Sequence, residues 1–181
     1  EQVRDLGAGK EKKTAIIDIL AKHAPGQSDE TIENMFQYFL KELKLAYDDL
    51  DVIPIKGAEE VFAALKSNGI KVVLNTGYNG ETANKLVNKL GWKRGMHYDE
   101  LVTASDVAKA RPEPDMILHA MKLTGISNAA EVVKIGDSGI DVIEGKNAGC
   151  GITIGITTGA QTKEQIAEAN PNFIVDDLKE L

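Results

Sequence analysis

The chain carries the sequence Val132-Val133-Lys134-Ile135-Gly136-Asp137-Ser138-Gly139-Ile140-Asp141. A short run of β-branched residues that stops at a glycine is typical of a buried parallel strand. Asp137 follows this strand directly, and Asp141 comes one turn into the next helix. The carboxyl ends of parallel strands open into the crevice where such sheets bind ligands. The stretch therefore predicts two acidic side chains at the edge of a ligand site.

Two interpretations of this acidic pair are open. Neighbouring carboxylates repel each other, a divalent cation relieves the repulsion, and Mg2+ is the usual choice for phosphate chemistry. Asp137 or Ser138 can instead cap the following helix, because side-chain oxygens at this position often accept hydrogen bonds from helix amides. The residues by themselves favour neither the metal site nor the cap.

Composition narrows the class of protein. The chain has 181 residues, of which 43% are hydrophobic, so it can build one substantial core with a small accessory domain. Its formal net charge of -7 argues against nucleic acid or an anionic membrane as partner. No apolar run approaches membrane-spanning length. The single cysteine, Cys150, excludes an internal disulfide and predicts a reducing, cytoplasmic location.

Residues 1–50 contain no strand pattern and predict two helices. The first includes the apolar stretch 14–20, and Pro25-Gly26 ends it. The second places apolar residues three and four positions apart, at Ile32, Met35, Phe36, Phe39, Leu40 and Leu43. Each helix has one apolar face to bury, so this part of the chain forms a small all-helical domain.

From residue 51 onward, strand patterns alternate with helix patterns. We expect helices at 58–68, 80–90, 113–124, 140–148 and 161–169. We expect strands at 70–75, 101–103, 132–136, 151–156 and 173–175. Repeated strand-helix units with short links predict an α/β fold with a parallel sheet and helices on both faces. The predicted domains are therefore 1–50 and 51–181.

Two further strand ends carry polar groups that suit an anion. Thr76 and Gly77 follow the strand at 70–75 and offer a hydroxyl and backbone amides near a helix start, although Thr76 can also be a plain N-cap. Arg111 lies in a loop that Pro112 and Pro114 make rigid. A rigid loop can hold the Arg111 guanidinium in a fixed direction. A solvated surface arginine is the alternative. Together with the acidic pair, these groups predict a phosphate site at one edge of the sheet.

Three segments, Leu74–Tyr78, Arg111–Asp115 and Ile135–Asp141, resemble motifs two, three and four of the haloacid dehalogenase superfamily, with particular likeness to its phosphonatase-like branch. The resemblance implies a Rossmann-like core with a small helical cap. It implies Mg2+-dependent phosphoryl transfer on a small phosphorylated or phosphonate substrate. Thr76, Gly77 and Arg111 would contact the phosphoryl group. Asp137 would bind the metal, with Asp141 assisting directly or through water.

The chain departs from the family pattern at its start. Family members begin with a strand that carries an Asp-x-Asp-like motif, whose first aspartate is the nucleophile, and residues 1–181 contain no such element. That strand would lie between those bearing Thr76 and Asp137. We expect a segment of about 30 residues carrying it to precede Glu1 in the natural protein. The reaction would then pass through an aspartyl-phosphate that water hydrolyses. Without that motif, the natural protein would be a non-catalytic phosphate-binding or regulatory module.

Lys10 distinguishes two enzymatic readings. It follows Leu6-Gly7-Ala8-Gly9, and the resemblance places it where phosphonatases keep the lysine that forms a Schiff base with an aldehyde substrate. A phosphonoacetaldehyde hydrolase is therefore one alternative. We favour a phosphatase in which Lys10 contacts the substrate anion, and an ordinary surface lysine is the third reading. The sequence gives no indication of the oligomeric state.

Overall fold

The computed structural model describes residues 12–49 and 51–181. Its helices are α1 (Lys12–His23), α2 (Asp29–Asp49), α3 (Ala58–Ser67), α4 (Gly80–Lys89), α5 (Asp115–Thr124), α6 (Gly139–Ala148) and α7 (Lys163–Ala167). Its strands are β1 (Val73–Thr76), β2 (Glu100–Thr103), β3 (Val133–Gly136), β4 (Ile152–Ile156) and β5 (Phe173–Val175). None of the helices in these ranges is long and apolar enough to cross a membrane.

The strands form two parallel sheets, β1-β2 and β3-β4-β5. Thr76 lies opposite Thr103 at the end of the first sheet, and Gly136 lies opposite Gly155 in the second. Within the described residues, β1 and β3 are not hydrogen-bonded to each other. The family resemblance implies a further strand at this split, between the strands bearing Thr76 and Asp137, and this stays a prediction. The predicted α/β class with parallel strands is confirmed.

Strand β1 begins later than the predicted strand at 70–75. The amide of Val72 donates to Asp99 Oδ2 at 2.9 Å, so a carboxylate occupies the position where a strand partner would bond. Lys66 Nζ lies 2.9 Å from the other oxygen of Asp99. Burial raises the pKa of Asp99, but the Val72 amide and the Lys66 ammonium outweigh it and hold that pKa below its usual range.

Two helices are shorter than predicted at their N-termini. The helix expected at 113–124 begins at Asp115, after Pro114. The helix expected at 161–169 is reduced to α7, and Thr162 starts it by accepting a hydrogen bond from the amide of Gln165. The amide of Thr162 donates in return to Gln165 Oε1 at 3.0 Å, which completes a capping box. A side-chain cap therefore sets the start of α7, whereas α5 starts after Pro114 without a side-chain cap.

The helices cover the sheets through two apolar clusters. Around β1 and β2, the buried residues are Val72, Val87 and Tyr98, with Phe62, Leu65, Leu74, Trp92 and Leu101 packed against them. A second cluster buries Ile117, Met121 and Ala148. Helix α6 approaches β3 and β4 closely at Gly145, where an added Cβ would lie 2.8 Å from both Lys134 Cβ and Thr153 Cγ2.

Helices α1 and α2 form the predicted helical region. Lys13 on α1 pairs with Glu33 on α2 at 2.6 Å. The predicted apolar residues of α2 are half-buried, except Met35, which is 45% exposed. Helix α2 also contacts α4, because Lys89 Nζ donates to the backbone carbonyl of Asp48 at 2.9 Å. The domain boundary at residue 51 stays a prediction.

Candidate functional site

A cavity of about 400 Å³ lies at the carboxyl ends of β1 and β3. Its wall includes the predicted site residues Thr76, Gly77, Arg111, Asp137 and Asp141. The remaining lining residues are Lys12, Ile55, Asn75, Tyr78, Ile135, Gly136, Ile156, Thr158 and Ala160. Residues separated by more than sixty positions in sequence thus meet at one site. Lys10, the remaining predicted site residue, lies outside the described residues.

Thr76 ends β1 and does not cap the helix that follows. Asn79 is the N-cap of α4, where its side chain accepts from the amide of Thr82 at 2.8 Å. The Thr76 hydroxyl oxygen instead accepts from the amide of Tyr78 at 3.2 Å. The plain N-cap interpretation of Thr76 is therefore wrong, and its side chain lies at the cavity.

Asp137 and Ser138 do not cap α6 through their side chains either. Asp137 Oδ2 accepts from the amide of Ala160 at 2.9 Å, so it is held by the loop after β4. The Ser138 hydroxyl donates to Asp141 Oδ2 at 2.6 Å. The first amide of α6, that of Gly139, donates to Gln161 Oε1 at 2.7 Å. A side chain distant in sequence thus occupies the cap position, and Asp137 remains at the cavity wall.

Asp141 is buried between two cations. Its Oδ1 lies 2.9 Å from Arg111 Nη1 and 3.1 Å from Lys134 Nζ. Burial raises the pKa of Asp141, but Lys134, Arg111 and the Ser138 hydroxyl outweigh it and hold that pKa below its usual range. Asp141 is therefore an ionised carboxylate whose two oxygens already have partners.

Arg111, and not Lys109, faces the cavity. The Arg111 side chain is only 9% exposed, and its Nη2 donates to the backbone carbonyl of Asn75 at 2.8 Å. Lys109 is exposed and does not line the cavity. The alternative of a solvated surface arginine is wrong, because ion pairs and backbone contacts fix this guanidinium at the strand ends.

Glu144 and Lys134 complete the charged cluster beneath the cavity. Glu144 is fully buried, and its Oε2 lies 2.8 Å from Lys134 Nζ and 3.2 Å from Arg111 Nε. Its Oε1 accepts from Asn75 Nδ2 at 3.0 Å. We refer to Arg111, Lys134, Asp141 and Glu144 as the ion quartet. Two positive and two negative side chains balance within it, as burial of charge requires.

A protein-family model described as haloacid dehalogenase-like hydrolase matches residues 2–149. The chain belongs to this family. It is 35% identical over 156 residues to phosphonoacetaldehyde hydrolase from Bacillus mycoides strain KBAB4, which covers 83% of this chain and 58% of that protein. It is 30% identical over 173 residues to phosphonoacetaldehyde hydrolase from Parabacteroides distasonis, covering 83% and 64%. The chain therefore spans about three fifths of the length of these curated relatives.

Solved structures of the haloacid dehalogenase-like fold superpose on the chain. A phosphonoacetaldehyde hydrolase-like protein from Oleispira antarctica gives a TM-score of 0.84 at 22% identity, over 100% of this chain and 77% of that one. β-Phosphoglucomutase from Clostridium difficile gives 0.81 at 19% identity, over 99% and 77%. These similarities show a shared fold. The superfamily resemblance drawn from the three motifs, including its phosphonatase-like character, is confirmed.

The family implies a Mg2+ site, and Asp137 fits it better than Asp141. Mg2+ is usually held by one or two carboxylates together with waters and substrate phosphate oxygens. Asp137 lines the cavity, and among the described residues its carboxylate accepts a hydrogen bond from the Ala160 amide alone. Asp141 has Arg111 and Lys134 at one oxygen and Ser138 at the other. The positive charges of Arg111 and Lys134 disfavour a Mg2+ ion bound directly to Asp141, so Asp141 fits a role in which it assists the metal site without contacting the ion.

Lys12 of the helical region lines the same cavity, and Tyr47 contacts a residue of its wall, Tyr78. The Tyr47 hydroxyl on α2 shares a 2.5 Å hydrogen bond with the hydroxyl of Tyr78, which follows β1. Burial and this bond raise the pKa of Tyr47. Lys12 on α1 lies over the Tyr78 ring, 5.5 Å from its centroid. Tyr78 therefore links the helical region to the strand end that carries Thr76.

The sequence patterns did not reveal the contacts of Asn75, Lys134 and Glu144. Asn75 lies within a motif, and Lys134 lies within an apolar strand pattern. The sequence did indicate that Lys134 has an acidic partner, since a lysine inside a buried strand needs a buried counter-charge. Glu144 lies three residues after Asp141 and therefore on the same face of α6. The described residues contain no group of three acidic, histidine or cysteine side chains that could hold a metal.

Proposed function

We propose that this chain forms the helical cap, residues 1–50, and most of the core, residues 51–181, of a Mg2+-dependent hydrolase of a small phosphorylated metabolite. The observation that carries the proposal is the cavity that collects Thr76, Arg111 and Asp137 from separate loops. A hydroxyl, a guanidinium and a carboxylate suited to a cation are the groups that phosphoryl transfer uses. The predicted reducing cytoplasm suits such a substrate.

Thr76 and Arg111 would bind the phosphoryl oxygens. The Thr76 oxygen accepts the Tyr78 amide, which leaves the hydroxyl proton free to donate to a phosphoryl oxygen. Gly77 lies beside it in the cavity wall. Arg111 has five N–H donors in a fixed fork, and its ion pair with Asp141 leaves the rest of Nη1 for the ligand. These contacts strengthen as negative charge develops on the oxygens.

Asp137 would hold Mg2+, which when bound neutralises charge on the phosphoryl group. The family resemblance assigns the nucleophile to an aspartate expected before Glu1. In that scheme its carboxylate oxygen bonds to phosphorus while the ester oxygen leaves with a proton. Water then hydrolyses the aspartyl-phosphate, releasing inorganic phosphate and restoring the carboxylate. A natural protein without that aspartate would bind phosphate without turning it over.

The test is an assay of the natural full-length protein against a panel of phosphate esters, with and without Mg2+. Asp137→Asn should weaken Mg2+ binding and abolish turnover. Arg111→Ala should reduce kcat/KM by about 100-fold to 1,000-fold, while Lys109→Ala on the exposed side of the same loop should match the unmodified protein. Undiminished Mg2+-dependent activity in Asp137→Asn, or a loss confined to Lys109→Ala, would overturn these assignments.

The relatives support a second candidate, hydrolysis of phosphonoacetaldehyde. The curated proteins at 30 to 35% identity carry that name. In this reading the neutral amine of Lys10 adds to the aldehyde and expels water to form an imine. The phosphoryl group then passes to the aspartate expected before Glu1, and the imine accepts the electron pair of the broken carbon–phosphorus bond. Water hydrolyses the aspartyl-phosphate and the imine, which releases inorganic phosphate and acetaldehyde and restores both side chains. Borohydride reduction with phosphonoacetaldehyde, followed by mass spectrometry, separates the candidates. An adduct on Lys10 supports the phosphonatase, whereas phosphate-ester turnover with no adduct supports the phosphatase.

A further inference from the structure

Arg111 can serve the proposed function only if its guanidinium is held at the cavity, and two residues outside the proposed catalytic set hold it. We infer that Asn75 and Glu144 are positioning residues for Arg111, an inference that rests on the proposed function. Both contact the guanidinium, and they also contact each other. Neither had a role assigned by the sequence patterns.

Asn75 accepts two hydrogen bonds from one side of the guanidinium. Its backbone carbonyl accepts from Arg111 Nη2 at 2.8 Å, and its side-chain Oδ1 accepts from the same nitrogen at 3.3 Å. Its Nδ2 donates to Glu144 Oε1 at 3.0 Å. Because Asn75 is the residue before Thr76 in β1, the position of Arg111 is tied to the strand end that presents the hydroxyl.

Glu144 fixes the other side through charge. Its Oε2 lies 3.2 Å from Arg111 Nε and 2.8 Å from Lys134 Nζ. Arg111 Nε and Glu144 Oε2 are both buried, and neither has a hydrogen bond of good geometry among the described residues. Their interaction is therefore mainly electrostatic, and it depends on the charge of Glu144 more than on its shape.

The same contacts connect the two sheets. Asn75 belongs to β1, whereas Glu144 lies on α6, which packs against β3 and β4. The described strands β1 and β3 have no hydrogen bond to each other. The bond between Asn75 and Glu144 thus joins a residue of β1 to a residue of the helix that packs on the second sheet.

Two shape-conserving substitutions separate charge from packing. Glu144→Gln removes one negative charge and leaves the ion quartet with a net positive charge. Asn75→Asp places a new carboxylate where it repels Glu144 across the 3.0 Å contact. The double variant Asn75→Asp/Glu144→Gln exchanges amide and carboxylate. It restores both the total charge and a hydrogen bond between positions 75 and 144.

The measurements are made on the natural full-length protein. Binding of inorganic phosphate is followed by calorimetry. The guanidinium 15N signals of Arg111 are assigned by their loss in Arg111→Lys. Separate signals for Nη1 and Nη2 show that the guanidinium is held in one orientation, and a single averaged signal shows that it rotates. Thermal unfolding and circular dichroism show whether each variant folds. Glu113→Gln, on the exposed part of the Arg111 loop, and Asn88→Asp, exposed on α4, are matched controls.

In each single variant we expect the Nη1 and Nη2 signals to merge into one averaged signal. We also expect phosphate binding to weaken about tenfold, as loss of one charge-assisted contact predicts. The double variant should recover separate Nη signals and most of the affinity. Folded single variants with unchanged Nη signals, or a folded double variant no better than the single ones, would overturn the inference. If the unmodified protein binds no phosphate, the proposed function fails, and the Nη signals still decide the inference.

Discussion

Gly145→Ala should destabilise the protein although alanine is the better helix former. In α6 the change removes the conformational cost of glycine, which favours the variant by about 1 kcal/mol. The added Cβ, however, would lie 2.8 Å from Lys134 Cβ and from Thr153 Cγ2, whereas ordinary contact begins at 3.4 Å. Both atoms are close to the strand backbone and cannot swing aside. Helix α6 must therefore retreat by about half an ångström, and such overpacking costs about 1–3 kcal/mol.

The net expectation is a loss of about 0–2 kcal/mol in the free energy of unfolding, because the cost of overpacking offsets or exceeds the gain in helix propensity. Urea denaturation followed by circular dichroism measures it. The matched control is Gly80→Ala at the start of α4, where the added Cβ meets only Thr103 Oγ1, at 3.8 Å. That variant should be as stable as the unmodified protein or slightly more so. If Gly145→Ala were more stable than the unmodified protein by the full gain in helix propensity, about 1 kcal/mol, the close approach of α6 to the second sheet would be refuted.

Three further outcomes are expected. Gly159→Ala places a methyl group inside van der Waals distance of the Asp137 carboxylate. Under the proposed function, the displaced carboxylate should reduce kcat of the natural protein by about 100-fold. A second expectation concerns Asp99. Burial raises the pKa of Asp99, but the Val72 amide and Lys66 hold that pKa below its usual range. The stabilisation from Asp99 is therefore present above about pH 4 and is lost as the pH falls through the folded-state pKa. The difference in stability from Asp99→Asn should be about 1–2 kcal/mol at pH 7 and should shrink towards pH 3, and a difference independent of pH would contradict it. Met116→Ala, at a fully buried position of α5, should lower the free energy of unfolding in urea by about 2–5 kcal/mol, and a cost below 1 kcal/mol would show that the cavity collapses.

The sequence predicted the order of helices and strands in the described part of the core because each element has a regular apolar pattern. It also predicted that Thr76, Arg111 and Asp137 would meet, since all three follow parallel strands whose carboxyl ends share one edge. The ends of elements were less accurate. The start of β1 depends on Asp99, which is 27 residues away from Val72 in sequence.

Local capping preference was also a weak guide. Thr76 and Ser138 are ordinary N-cap residue types, yet Asn79 and Gln161 provide the caps in the structure. The Gln161 contact with Gly139 depends on how the loop after β4 folds back, which no nearby residue reveals. Buried polar partners are set by three-dimensional packing, so only the need for a partner, and not its identity, can be predicted from the sequence.

The balance of the ion quartet shapes the electric field at the cavity. Arg111 and Lys134 contribute two positive charges and Asp141 and Glu144 two negative charges, all within about 3 Å of a partner. Opposite charges arranged in this way have no net monopole, and their potential decays steeply with distance. An incoming phosphate dianion therefore gains little attraction from afar on a chain whose net charge is -7. Under the proposed function, its capture would depend on short-range hydrogen bonds and on the metal ion that Asp137 would hold. Salt screens the repulsion from the net negative charge, so the association rate should not fall as ionic strength rises.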